Sequence, residues 1–109
     1  MSNPYRGEVR LNVDAVELPL RLSLGALAEL EERLGAAGLL PLIERVENGG
    51  FKAQDIIALL CAGLRGAGWD GTEDDLRRAQ IEGGPLAAAK CAGQLLRVTF
   101  TLPSSEGDT

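Results

Sequence analysis

The sequence predicts an α+β fold: an N-terminal β-hairpin packed on a bundle of four to five short helices. Three observations carry this. From Val9 to Leu22 apolar residues alternate with polar ones, the period of half-buried strands. From Ser23 onward apolar residues recur at three- and four-residue spacing, the period of helices. Gly and Pro then punctuate the chain at Gly35, Asn48-Gly49-Gly50, Gly66 to Gly71 and Gly83-Gly84-Pro85, which limits each helix to a few turns.

The hairpin comes first. Val9, Leu11 and Val13 alternate with Glu8, Arg10 and Asn12; Asp14 and Ala15 form the turn; Val16, Leu18, Leu20 and Leu22 alternate with Glu17, Pro19 and Arg21. Pro19 has no N–H to give a ladder, so its backbone nitrogen is expected at an open edge or a bulge. A lone hairpin is marginal in water, and its apolar face must be covered by the helices.

Ser23 is placed as the N-cap of a helix that runs to Leu34 and stops at Gly35. Leu27, Leu30 and Leu34 share one face, and Glu29 with Arg33 forms an i,i+4 pair on the other. A second, short helix from Pro41 to Glu47 buries Leu39, Leu42, Ile43 and Val46. The third, Lys52 to Arg65, is the most apolar. Ile56, Leu59, Leu60, Gly63 and Leu64 form its stripe, and Ile57 with Cys61 widens the arc, so it is expected at the centre of the bundle.

After the Gly-rich loop Gly66 to Gly71, Thr72 caps a fourth helix in a capping-box arrangement with Asp75. Glu73 with Arg77 and Asp74 with Arg78 are expected as i,i+4 pairs. Pro85 opens the last helix, whose packing face is Ala88, Cys91, Ala92, Leu95 and Thr99. Val98 to Leu102 reads equally as helix or as a short strand, because β-branched residues and alternation both appear there. One domain over residues 1–102 and a disordered polar tail over 103–109 complete the expected organisation.

Composition narrows the chemistry. Only 4% of the 109 residues are aromatic against 45% hydrophobic, so the core must be built from Leu, Ile, Val and Ala. There is no His, the commonest metal ligand and neutral-pH general base, and two Cys alone cannot complete a four-ligand zinc site. The net charge of −5, with scattered Lys and Arg, argues against a nucleic-acid partner. Cys61 and Cys91 are expected as buried, reduced thiols. No segment reads as a signal peptide or a membrane span.

The Gly-rich loop is not a phosphate cradle, since no Lys-Ser/Thr pair follows it and a helix rather than a strand precedes it. Asp70, Glu73, Asp74 and Asp75 lack calcium-loop spacing and suit a helix start instead. No cofactor, metal or catalytic residue is therefore assigned, and no enzymatic activity is expected.

Several runs resemble one known family. They are Asn3-Pro4-Tyr5-Arg6-Gly7-Glu8-Val9, Leu22 to Glu31, Gly63-Leu64-Arg65-Gly66-Ala67-Gly68-Trp69 and Ile81-Glu82-Gly83-Gly84-Pro85, in collinear order. The chain is similar to the small tail proteins of gene transfer agents and the tail assembly chaperones of tailed phages. The resemblance implies a chaperone in the bacterial cytoplasm that keeps the tape measure protein soluble, with the tail tube subunit and further copies of itself as other partners. Its alternative is a structural tube or adaptor component retained in the particle.

Against the alternative, a tube subunit needs a large sheet to close a ring, and two strands are few. The candidate partner contacts are Trp69, Tyr5, Arg6 and Arg65. Trp69 is the anchor, with a hydrophobic lid over the helix ends as the competing role. Tyr5 and Arg6 compete with a role in docking the N-terminus.

Overall fold

A computed structural model describes residues 9–100, and Tyr5, Arg6, Thr101, Leu102 and the 103–109 tail lie outside them. Strands β1 (Val9–Val13) and β2 (Val16–Leu20) pair antiparallel, with Val13 opposite Val16 across a two-residue turn. Asp14 and Ala15 both have positive φ, 53° and 69°, the signature of a type I′ turn. Asp tolerates this region, whereas it costs an ordinary residue such as Ala about 1–2 kcal/mol.

Hydrogen bonding alternates along the ladder from that closing pair, so Arg10 and Pro19 face each other at a non-hydrogen-bonded position. The nitrogen of Pro19 accordingly points away from β1, as its missing N–H requires. On the outer edge of β1, Val13 makes a single antiparallel bridge to Ile81. That bridge was not legible in the sequence.

The helices follow as α1 (Leu24–Leu34), a 3-10 turn (Gly35–Ala37), α2 (Leu40–Asn48), α3 (Ala53–Gly66), α4 (Glu73–Arg78) and α5 (Gly84–Phe100). The α+β hairpin-and-helices fold is as the sequence predicts, with boundaries shifted by about one residue at most helix ends. Ser23 caps α1 by accepting from the Ala26 amide at 3.1 Å. Thr72 and Asp75 complete the box of α4: Thr72 Oγ1 accepts from the Asp75 amide at 3.2 Å, and Asp75 Oδ2 accepts from the Thr72 amide at 2.9 Å. The Thr72 amide, and after it the Thr72 hydroxyl, donate to the Asp75 carboxylate and hold it below the usual carboxylate range.

Helix α3 is central. It is buried from Ala58 through Leu64 and packs against α1, α4, α5 and β2. Two glycines make that approach possible. A Cβ on Gly63 would sit 2.6 Å from Leu95 and 3.2 Å from Leu20, and one on Gly66 would sit 2.1 Å from the Arg21 carbonyl oxygen. The Arg21 amide donates to the Gly63 carbonyl at 2.9 Å, which ties the end of the hairpin to the helix.

In α2 only Leu42 is fully buried, while Leu39, Ile43 and Val46 are half-buried. Helix α5 buries Ala88, Cys91, Ala92 and Leu95 as expected and adds Leu96; Thr99 is half-buried, its hydroxyl donating to the Leu95 carbonyl at 2.6 Å. Val98 to Phe100 are helical, which resolves the described part of that ambiguous stretch. Cys61 and Cys91 are free and buried, and burial raises both thiols, Cys91 to about 11.

The expected i,i+4 ion pairs are replaced. Arg33 leaves Glu29 and forms a two-pronged pair with Glu73 of α4, at 2.9 and 3.2 Å. Glu29 is met instead by Arg65, at 3.5 Å. Arg77 and Arg78 pair at i,i+3, with Asp74 and Asp75, at 3.1 and 3.9 Å. For Arg33 and Glu29, packing brings partners on α4 and α3 within reach, whereas Arg77 and Arg78 take the carboxylates three residues back on their own helix.

Candidate functional site

Two surfaces gather the residues that can meet a partner. The first is an apolar groove of about 480 Å³ between the first half of α3, the segment Ala79–Gly83 that joins α4 to α5, and the start of α5. Ile56 and Leu60 form its floor, with Phe51, Ile57 and Ile81 half-buried along its walls. Arg77 and Gln80 are its polar members. Arg77 is engaged, donating to Asp74 at 3.1 Å and to the Gln54 side-chain oxygen at 2.6 Å. The groove exists because Ile57 sits at the margin of the broad apolar arc of α3, beyond what its neighbours cover.

An ion pair that the sequence reading missed joins α2 to the first turn of α3. Arg45 of α2 donates both Nε and Nη2 to the Asp55 carboxylate, each at 2.9 Å, and Asp55 also accepts from the Lys52 amide at 2.9 Å. Asp55 is the one buried charged residue among the described ones. The Arg45 hydrogen bonds, with help from the Lys52 amide, hold its carboxyl below the usual range despite burial. The signal was present in part, since Asp at the third position of a helix is a capping residue; its Arg partner ten residues earlier was not predictable from spacing.

The second surface surrounds the Gly-rich loop. Trp69 and Arg65 come together there, lining one hollow of about 310 Å³ with Ser23, Ala26 and Glu29. The Trp69 indole lies against Gly71: a Cβ at that glycine would meet ring carbons at 2.1 to 2.6 Å. Arg65 Nη1 donates to the Gly71 carbonyl at 3.0 Å, and the Trp69 amide donates to Leu64 at 2.9 Å. Trp69 is half-buried against the core. The geometry is that of a lid over the end of α3, one of the two roles the sequence allowed. Tyr5 and Arg6 lie outside the described residues.

Among the described residues no group of His, Cys, Asp and Glu is arranged to hold a metal ion, and no helix is long and apolar enough to cross a membrane. The arrangement offers apolar docking area and ion pairs that fix helices against one another.

Compared with known proteins, the chain matches a family model described as "Phage tail tube protein, GTA-gp10" over residues 6–101. No curated protein and no solved structure matches it.

Proposed function

The chain belongs to the phage tail tube protein family of GTA-gp10, a family of phage and gene transfer agent tails, and from that membership we propose that it is a non-enzymatic structural component of the tail, a tube or adaptor subunit retained in the particle. The single observation that supports this is the family match, which spans residues 6–101 and so takes in the hairpin and every helix. The apolar groove and the Trp69–Arg65 surface supply the area through which such a subunit meets its neighbours.

A second reading is a tail assembly chaperone that binds the tape measure protein and leaves before the particle is complete. One observation favours it: among the described residues the sheet has two strands and a single bridge to Ile81, a small element for closing a ring. Quantitative mass spectrometry of purified particles separates the two. A fixed number of copies per tail supports the retained component. Absence from particles, together with co-purification with the tape measure protein from producing cells, supports the chaperone. Absence from both overturns the proposal.

A further inference from the structure

Of the five large apolar side chains exposed among the described residues, three lie on the outer faces of α1 and α5. On α5, Leu86 is 69% exposed and Phe100 42%. Gly93 sits midway between them, and nothing lies within 4 Å of the place its Cβ would take. Lys90 and Arg97 flank this stripe, and α5 holds no acidic residue. On α1, Leu24 is 85% exposed, and Ala28, Glu31 and Glu32 share its exposed face at helical spacing. Glu29 and Arg33 are engaged by Arg65 and Glu73, whereas Glu31, Glu32, Lys90 and Arg97 form no ion pair among the described residues.

The two faces point away from each other, because α1 and α5 both pack on α3 and do so from opposite sides. Ala58 and Ala62 of α3 line a hollow with Leu30 and Arg33 of α1. Leu60 lines the groove with Ala88 of α5, and a Cβ on Gly63 would meet Leu95. At 3.6 residues per turn, Ala58 and Ala62 lie across the helix from Leu60 and Gly63. We propose that the basic, apolar face of α5 receives the acidic, apolar face of α1 from a second copy of this chain, in a head-to-tail contact that repeats from copy to copy. The place of that contact in a tail rests on the retained-component reading given above.

Charge and spacing both match. Crossed antiparallel, the positive dipole end of α1 lies at the negative end of α5, which sets Leu24 beside Phe100. Seven residues on, about 10 Å along the axis, Glu31 arrives level with Gly93, between Lys90 and Arg97. Glu32 adds a second carboxylate to the same two cations, and the missing side chain at Gly93 admits the approaching helix. Complementary charge of this kind fixes register and orientation. Because the two faces lie on opposite sides of α3, two copies that form one contact leave one face of each kind open for a third. Heterologous contacts of that sort build rings where the rotation closes and filaments where it does not.

Sedimentation velocity on the purified full chain at low ionic strength tests the contact. The parent is expected to form assemblies that grow past the dimer with concentration and shrink as salt screens the charges. Glu31→Lys/Glu32→Lys and Lys90→Glu/Arg97→Glu, all at exposed positions, are each expected to weaken self-association about tenfold or more. An equimolar mixture of the two is expected to restore it, because each reversed face then meets a reversed face; a change in stability or net charge alone does not produce that rescue. Leu24→Ser, which alters no charge, is expected to weaken association several-fold, and urea melts check that every variant folds. A parent that stays monomeric or stops at a dimer overturns the proposal, as does a mixture that associates no better than its components or a Leu24→Ser protein that associates like the parent. None of these results bears on whether the protein is retained in particles, which the mass spectrometry above decides separately.

Discussion

Gly66→Ala gives the sharpest test of the packing between α3 and the hairpin. An ideal Cβ at this position lies 2.1 Å from the Arg21 carbonyl oxygen and 3.0 Å from the Ala26 Cβ. Ordinary contact begins near 3.4 Å, so one of the backbones must retreat by more than 1 Å. Neither yields easily, because the Arg21 amide is bonded to the Gly63 carbonyl one turn earlier on the same helix. Overpacking of this kind costs about 1–3 kcal/mol, and a clash with backbone rather than a flexible side chain belongs at the upper end. Replacing Gly by Ala in a helix returns at most about 1 kcal/mol, and less at its last residue. The net expectation is a loss of about 2 kcal/mol.

The matched control is Gly93→Ala in the middle of α5, where nothing lies within 4 Å of the added methyl. There the helix propensity acts alone, and a gain of about 0.5–1 kcal/mol is expected. Urea melts of both variants, with slopes unchanged, read the two values directly. A Gly66→Ala protein as stable as the parent would refute the close approach of α3 to the end of β2.

Three further outcomes follow from the same packing. Leu60→Ala, at a side chain 1% exposed on the groove floor, is expected to cost about 2–5 kcal/mol in the same melts; a loss well under 1 would show that this face is not core. The Asp55 carboxyl is depressed in the folded state, so the stability it adds over Asp55→Asn should be full above the unfolded carboxylate pKa of about 4 and fade as pH falls through the folded value; a pH-independent difference between pH 7 and 2 would remove the Arg45 pair as its cause. Trp69→Ala should stay folded but lose about 1–3 kcal/mol, less than a fully buried Trp, because the indole is half-exposed over Gly71; a negligible loss would mean that the ring is held for a partner rather than for the fold, and co-purification with tail proteins would then decide its role.

Much of the fold was legible because its signals are local. Ser23, Gly35, Gly49 and the Thr72–Asp75 pair act within four residues of themselves, and the change of apolar period near Ser23 is a property of the chain alone. The electrostatics were less legible. Glu29 and Arg33 have ideal helical spacing, yet Arg33 is bonded to Glu73, 40 residues away, because packing of α1 beside α4 offers a two-pronged geometry. The bridge of Ile81 to Val13 was invisible for the same reason. Gln80, Ile81 and Glu82 carry one apolar residue among them, too little for a strand signal, and their pairing is set by where α4 and α5 leave them. In the candidate site, Trp69 was found as the one Trp, in the Gly-rich loop, and Arg65 lies in the run Gly63 to Trp69 that carries the resemblance, whereas the groove, assembled from residues 51–60 and 76–88, could not be found.

The register of the hairpin bears on how copies of this protein can crowd together during tail building. A bare strand edge is a template on which further strands add, and it gives rise to fibres when many copies meet. Here the outward-pointing backbone of β2 belongs to Glu17, Pro19 and Arg21; Pro19 has no N–H to offer, and the Arg21 amide is already bonded to Gly63. The outer edge of β1 is met near the turn by Ile81. Strand-to-strand polymerisation is thereby disfavoured at both margins of the sheet, so any contact between copies would have to run through side-chain surfaces.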